Sequence, residues 1–336
     1  FYMGMNLGGI VGPICYGIIA VNCGWLYGFL TSAAMITLSF IVLLLRKKQA
    51  YNHTSLMTSS WQQWLKLTTL LLISVVSIAI VTLLFFSPNL FQYALKIIAG
   101  IVILAMAAIA YYSPSTQRKK LTLLLICMLF MILYFACAAQ TGSSLMLFIV
   151  RHVDTHLLGW KIPVEAFASL QPIAIIIIAP VITWFWNHRI QQHADMRVLI
   201  KRILIGLLLA GASFLLFSLA AYSTAWPGFN YPLLNIIIGN FVLGAGELYI
   251  MPSMMSAVTY LAPERLQGTL MGVLFFSLAI SFYIGSKLAM LSAANNFSLY
   301  AGSSLYYHAF ISIALITFAV TIVYLCCLPL LYRLAK

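Results

Sequence analysis

The sequence predicts an all-α fold, a polytopic membrane helical bundle, and three observations carry that prediction. The chain of 336 residues is 63% hydrophobic and only 7% charged, with a mean hydropathy of +1.04. That leaves too little polar surface to coat a water-soluble globule of this size. Its apolar residues form ten runs, over 4–22, 25–45, 64–86, 93–112, 121–150, 166–186, 199–222, 233–261, 266–291 and 308–332, each close to or longer than the roughly 20 residues a helix needs to cross hydrocarbon. Its basic residues cluster in the short gaps between those runs. The alternation of apolar and polar residues that marks a β-barrel is missing, so helices are left as the means of satisfying the backbone in lipid.

Taken in order, the runs divide the chain into three parts, 1–45, 46–120 and 121–336. The first run, opening as MNLGGIVGP, carries Asn6 and the spaced small residues Gly8 and Gly12, a pattern that lets helices pack closely. Residues 46–63 (RKKQAYNHTSLMTSSWQQ) and 113–120 (SPSTQRKK) are basic and turn-prone. Between them, 64–86 and 93–112 are built mainly from Leu, Ile, Val and Ala with no ionisable residue near the middle, the composition of a lipid-facing hairpin. The fifth run contains AAQTGSSL, with Gln140, Ser143 and Ser144, and the sixth begins with SLQP, where Gln171 precedes Pro172. Each of these polar residues is open to two roles, bonding between helices or contact with a substrate. Lys287 lies near the end of the ninth run, placed to extend its ammonium group into the interface. No tandem repeat of 20–50 residues is present, which excludes a solenoid.

Charge orients the bundle. If the first run passes outward, Arg46, Lys47, Lys48, Lys66, Arg118, Lys119, Lys120, Arg189, Arg197, Lys201, Arg202, Arg265, Arg333 and Lys336 share one face, against Lys96, Arg151, Lys161 and Lys287 on or near the other. The positive-inside rule makes the first face cytoplasmic, together with the C-terminus. The net charge of +13 therefore reflects topology and the lipid bilayer, not nucleic acid, which would need a basic stripe along one element.

Of the five acidic residues, Glu247 alone falls at membrane depth. It stands 14 residues into its run, or roughly 21 Å along a helix, just past mid-bilayer. A charged carboxylate there costs about 2.5–3.5 kcal/mol on insertion scales. It could carry a proton, neutralise a cationic group of a substrate, pair with a buried cation, or sit neutral and hydrogen-bonded to a neighbouring helix. Burial and a nearby cation act oppositely on a carboxyl proton, so a partner that comes and goes would load and release it. Asn240, two turns earlier, shares its helix face. Gly244 and Gly246 leave room beside the backbone, or allow close helix packing, and Pro252 removes a backbone donor five residues on, a combination suited to a bending gate.

No enzyme constellation is present: GxSxG, HExxH, a phosphate loop and paired membrane-depth acids are all missing. The six cysteines, Cys15, Cys23, Cys127, Cys137, Cys326 and Cys327, lie mostly within or at the ends of apolar runs without CxxC spacing, and the six histidines lie in loops or at span ends. Neither set suggests a disulfide framework or a metal site. No signal peptide precedes the first run, and Phe1 in place of Met suggests that the natural start lies upstream.

Three stretches together carry a resemblance. FYMGMNLGGIVGP, residues 1–13, resembles the FYxxINxG signature of the proton-dependent oligopeptide transporter (POT) family of the major facilitator superfamily. Residues 140–170 are similar to that family's seventh helix and the approach to its eighth, and ELYIMPSMMSAVTYLAPERLQGTLMG, residues 247–272, to its tenth-helix signature and the turn into the eleventh.

The resemblance implies a partial transporter fold, with family helices five to twelve and the extra hairpin of bacterial members. The family's first four helices, with their ExxER motif and lysine, would then be a partner supplied by the same protein. It implies a proton-coupled symporter importing di- and tripeptides across the bacterial inner membrane by alternating access, with protons as coupling ion and no other cofactor. Glu247 matches the acid that meets the peptide's amino terminus, Asn6 and Gln171 match pocket amides, and Ser277 faces the pocket by analogy. Gln140 and Asn240 are further candidate substrate contacts, and Gly246 and Pro252 candidate gating positions. The family pattern is broken at Ala139, where a Glu is common, at Leu274 in place of Trp, and at Ser281-Phe282 in place of Gly-Asn. These departures admit two alternatives, a same-fold transporter of another small metabolite or drug, or a non-transporting remnant.

Overall fold

A computed structural model of the chain describes residues 2–45, 60–157, 160–189, 196–225, 232–292 and 299–335. Helices account for nearly all of them. In chain order they are α1 Tyr2–Cys23, α2 Trp25–Leu45, α3 Ser60–Phe86, α4 Pro88–Tyr112, α5 Ser115–Ala138, α6 Ser144–His152, α7 Leu170–Arg189, α8 Met196–Ala225, α9 Pro232–Leu261, α10 Gln267–Ala289 and α11 Leu299–Leu334. A two-residue antiparallel ladder pairs His156 with Lys161 and Leu157 with Trp160. Among the described residues nine segments are long and apolar enough to cross a membrane, and α3 adds the shorter apolar stretch Leu71–Phe86. The chain is a multi-pass membrane protein.

Local chemistry places several boundaries. Gly24 joins α1 to α2 at φ 100°, a left-handed conformation that a side chain disfavours. Its N–H still bonds to Ala20 O at 3.0 Å, so the chain reverses without losing a backbone donor. Helices α4 and α9 begin at Pro88 and Pro232, where a missing N–H costs nothing. The run expected as one span over 121–150 is broken in two: α5 ends at Ala138, a 3₁₀ turn covers Ala139–Gly142, and α6 resumes at Ser144. The sequence AQTGSS supplies a glycine and hydroxyls there, and these compete with regular helical bonding. Pro252, by contrast, is accommodated inside the continuous helix α9.

The described chain forms two compact units. One comprises residues 1–29 and 109–336. Its core joins α6, α8 and α11 through Phe148, Phe214, Phe217, Tyr306 and Phe310, all at most 1% exposed. Phe214 meets Phe217 edge-on at 5.4 Å, and Phe148 meets Phe310 edge-on at 5.9 Å, the geometry that ring quadrupoles favour. Helices α8 and α9 come into backbone contact at Gly206 and Gly246. A Cβ on Gly206 would lie 2.5 Å from Ile250 and 3.0 Å from Gly246 O, and one on Gly246 would lie 3.1 Å from both Gly206 O and the Tyr134 hydroxyl. Without water to drive helices together, such backbone contact supplies the packing.

The other unit is residues 30–108, where Ser87 alone separates α3 from α4. Leu72, Ile78, Val81, Phe85, Ile103 and Leu104 are all at least half exposed. An apolar surface on this scale requires an apolar solvent.

Candidate functional site

Within the first unit, the N-terminal end of α1, the α5–α6 break, the start of α7, the middle of α9 and α10 surround a cavity of about 370 Å³. Tyr2, Gln171 and Glu247 give it its polar character, with Thr141 at the helix break. Met5, Phe135, Met251, Phe275, Leu278 and Phe282 supply most of its apolar wall.

The carboxylate is held at both oxygens. The Tyr2 hydroxyl donates to Glu247 Oε1 at 2.7 Å, and Gln171 Nε2 donates to Oε2 at 2.6 Å. Both partners are donors, so each carboxyl oxygen has an acceptor's role filled without a cation. Three elements distant in sequence thus converge on one side chain. Helix α1 brings Tyr2, α7 brings Gln171, and α9 brings Glu247, next to Gly246, which packs onto Gly206 and Tyr134. Tyr134 steadies this stretch of α9 by donating to Leu243 O at 2.7 Å while fully buried. Among the described residues no lysine or arginine lines the cavity, and the carboxylate's two described partners are neutral. A cationic group entering this space would meet a fixed, partly desolvated negative charge, with apolar side chains around the rest of its body.

The other residues singled out in the sequence are engaged outside the cavity lining. Asn6 is buried and donates to Tyr2 O at 2.9 Å, so it bears on the site through the backbone of the residue that holds Glu247. Asn240 shares the helix with Glu247 but is buried, donating to Ile236 O at 2.9 Å. Ser277 is also buried and donates to Val273 O at 2.8 Å. Gln140 ties the helix break to α10, donating to Gly285 O at 2.7 Å and accepting from Ser144 Oγ at 2.9 Å. Gly246 lies against α8, and Pro252 is half-buried in α9. Of the family departures, Ala139 and Phe282 line the cavity, while Leu274 is fully buried and does not.

Tyr2 was not singled out from the sequence, although it belongs to the same FYxxIN stretch as Asn6. Its phenol is amphipathic, and near a lone membrane-depth acid a tyrosine hydroxyl is a natural donor. The pairing itself spans 245 positions, a separation at which sequence periodicity is silent.

Membrane-crossing helices around an acid-bearing pocket of small-molecule size are the build of a solute transporter. The family model described as POT family matches residues 1–305, and the chain belongs to that family of peptide transporters. It is 25% identical over 345 aligned positions to dipeptide and tripeptide permease A of Edwardsiella piscicida, an alignment covering 99% of this chain and 68% of the permease. Among solved structures it resembles a peptide transporter POT in complex with sulfate, with a TM-score of 0.75 and 21% identity over 99% of this chain and 67% of that one. It also resembles a POT family transporter in complex with 5-aminolevulinic acid, with a TM-score of 0.75 and 20% identity over 98% of this chain and 68% of the other. The fold is that of a major facilitator transporter.

Proposed function

We propose that this chain forms the substrate-binding part of a proton-coupled symporter that imports di- and tripeptides across a bacterial inner membrane by alternating access, with the C-terminus in the cytoplasm. The observation that carries this reading is the Glu247 carboxylate, set in the wall of a 370 Å³ cavity between two neutral donors. Every peptide presents one ammonium group whatever its side chains. A lone carboxylate in apolar surroundings recognises that group, and the apolar wall of Met5, Phe135, Met251, Phe275, Leu278 and Phe282 tolerates varied side chains. The matching permease and the membership of the POT family point the same way. The basic clusters between spans support the orientation. Proton coupling fits a carboxylate whose charge is compensated only when a cation is bound.

A second reading has a specific observation behind it. One solved relative holds 5-aminolevulinic acid, an amine that is not a peptide, so a small amine-bearing metabolite is the rival cargo. Uptake of labelled dialanine into proteoliposomes separates the two. The peptide reading expects uptake that follows an inward proton gradient, collapses with a protonophore, and is competed by unlabelled dipeptides but not by free alanine. Competition by free amines or amino acids with none by dipeptides would replace peptides with the smaller cargo. Uptake indifferent to the proton gradient would remove the symport.

A further inference from the structure

The helix break between α5 and α6 has two neighbours. On one side it lines the cavity, through Ala138, Ala139, Thr141 and Gly142; on the other it rests on α10, which lines the same cavity through Phe275, Leu278 and Phe282. The seam between these two walls is tight at Gly285, where a Cβ would lie 2.8 Å from Ala139 Cβ and 2.9 Å from Ala136 O. Gln140 fills that seam and is fully buried. Its Nε2 donates to Gly285 O at 2.7 Å and to Ala136 O at 3.3 Å, and its Oε1 accepts from Ser144 Oγ at 2.9 Å. Ser144 Oγ accepts in turn from Ser292 Oγ at 2.7 Å, in the 3₁₀ turn Met290–Ser292 that follows α10. One amide thus joins the end of α5 and the start of α6 to α10 and the turn beyond it.

The chemistry of the position calls for an amide of this length. Two donors face two carbonyls, and the acceptor faces a hydroxyl. A carboxylate would set oxygen against Gly285 O, and asparagine is one methylene too short to reach both sides. Ala136, Ser144, Gly285 and Ser292 are all buried, so each bond left unmade strands a polar group away from water. The break has little regular bonding of its own: Thr141 Oγ1 donates to Ala138 O at 2.8 Å and Ser143 Oγ to Ala139 O at 3.2 Å, side chains standing in for helical N–H groups. Its place on α10 is therefore set by the Gln140 bonds and by the fit of Ala139 onto Gly285.

Resting on the peptide reading above, we propose that Gln140 is a positioning residue that fixes the width of the cavity, and with it the length of peptide the site admits, by holding the helix break against α10. With the amide in place, the Ala138–Gly142 wall and the Phe275–Leu278–Phe282 wall form one body, and a ligand must fit the gap as it stands. Without it the break lifts from Gly285, the gap widens, and a longer backbone enters. Pre-set walls favour the ligand that fits them; loose walls favour none.

The test compares Gln140→Met, which keeps the length and removes the amide, and Ser292→Ala, which removes only the outermost bond, with the unmodified full chain. Titration calorimetry with dialanine, trialanine and tetraalanine gives the affinity ratio of short to long peptide. Separately, 4-fluorophenylalanine placed at position 282 alone reports by ¹⁹F NMR, with no peptide added, on the wall one turn from Gly285. The positioning role predicts that Gln140→Met narrows the preference for dialanine over tetraalanine about tenfold, the equivalent of one hydrogen bond, that Ser292→Ala narrows it less, and that the fluorine signal broadens or splits in Gln140→Met. A structural role alone would weaken all three peptides in equal proportion and leave the ratio unmoved, and that result overturns the proposal while the peptide reading stands. Should Gln140→Met fail to fold, an unmoved ratio in Ser292→Ala overturns it instead. If the unmodified chain binds none of the peptides, the peptide reading fails and the selection of peptide length falls with it; the fluorine signal then decides the hold on the break, and an unchanged signal in Gln140→Met overturns that as well.

Discussion

Replacing Glu247 by Gln isolates the charge at the centre of the site. The change keeps the side chain's size and both of its contacts available. The introduced amide can accept from Gln171 Nε2 through its oxygen and donate through its nitrogen to the Tyr2 hydroxyl, which can serve as donor or acceptor. The 2.7 and 2.6 Å contacts therefore survive with one of them reversed. Two neutral hydrogen bonds replace two charge-assisted ones, a loss of about 1 kcal/mol each, and this is offset by removal of a partly buried charge at membrane depth, which costs about 2.5–3.5 kcal/mol to insert. Thermal stability should thus be unchanged or slightly raised. Binding should respond in the opposite sense. A ligand ammonium group facing the amide loses its charge-assisted bond, worth about 1.5–3 kcal/mol, so affinity for dialanine should fall between tenfold and a hundredfold. Scanning calorimetry and titration calorimetry on the same preparation read the two effects. Full affinity in Glu247→Gln would refute the assignment of the carboxylate to the ligand's cation. A collapse of stability with binding lost in proportion would make Glu247 a structural residue.

Two further expectations test the packing and the loop after α6. Gly206→Val places side-chain carbon 2.5 Å from Ile250 and 3.0 Å from the Gly246 carbonyl, an overpacking that should cost about 1–3 kcal/mol and lower the unfolding midpoint, while Gly100→Val, with open space around its Cβ position, should not. Asp154, on the loop after α6, bonds through Oδ1 to the ring and backbone N–H of His156 at 2.6 and 3.0 Å. These bonds hold its carboxyl below the usual carboxylate range. A depressed carboxylate contributes fully above its unfolded value of roughly 3.9 and loses that contribution only as pH falls through the folded one. His156→Ala should therefore move the NMR titration of Asp154 upward and leave the neutral-pH unfolding midpoint unchanged, because the carboxylate is fully solvated.

Much of this protein was legible along the chain. Apolar runs place helices because hydrocarbon leaves the backbone no alternative to internal hydrogen bonding. The spans read over 25–45 and 233–261 match α2 and α9 to within a residue. A lone acid at mid-span is conspicuous because its insertion is costly, so Glu247 could be singled out without coordinates. Gln171 could be noticed for a similar reason, as an amide at the mouth of an apolar helix.

Which residues meet that acid is a different kind of information. In a soluble helix the polar face marks the outside, so the apolar stripe reveals what is buried. Helix α9 is apolar all round, and its pattern does not separate the face toward lipid from the faces toward α7, α8 or the cavity. Asn240 and Glu247 share a face by spacing, yet Asn240 is closed over by its own helix while Glu247 opens to the cavity. The polar side chains of Asn6, Gln140 and Ser277 bond to backbone carbonyls, as buried donors must, and only packing shows that those carbonyls lie within the helices and not on a ligand. Tyr2 and Phe282 become wall residues through the approach of α1 and α10 to α9. Sequence by itself determined the helices, their membrane environment and the acid, because each follows from the cost of polar groups in hydrocarbon. The partners of that acid were decided by the tertiary structure, because contacts across hundreds of positions arise from how glycine-lined helices pack.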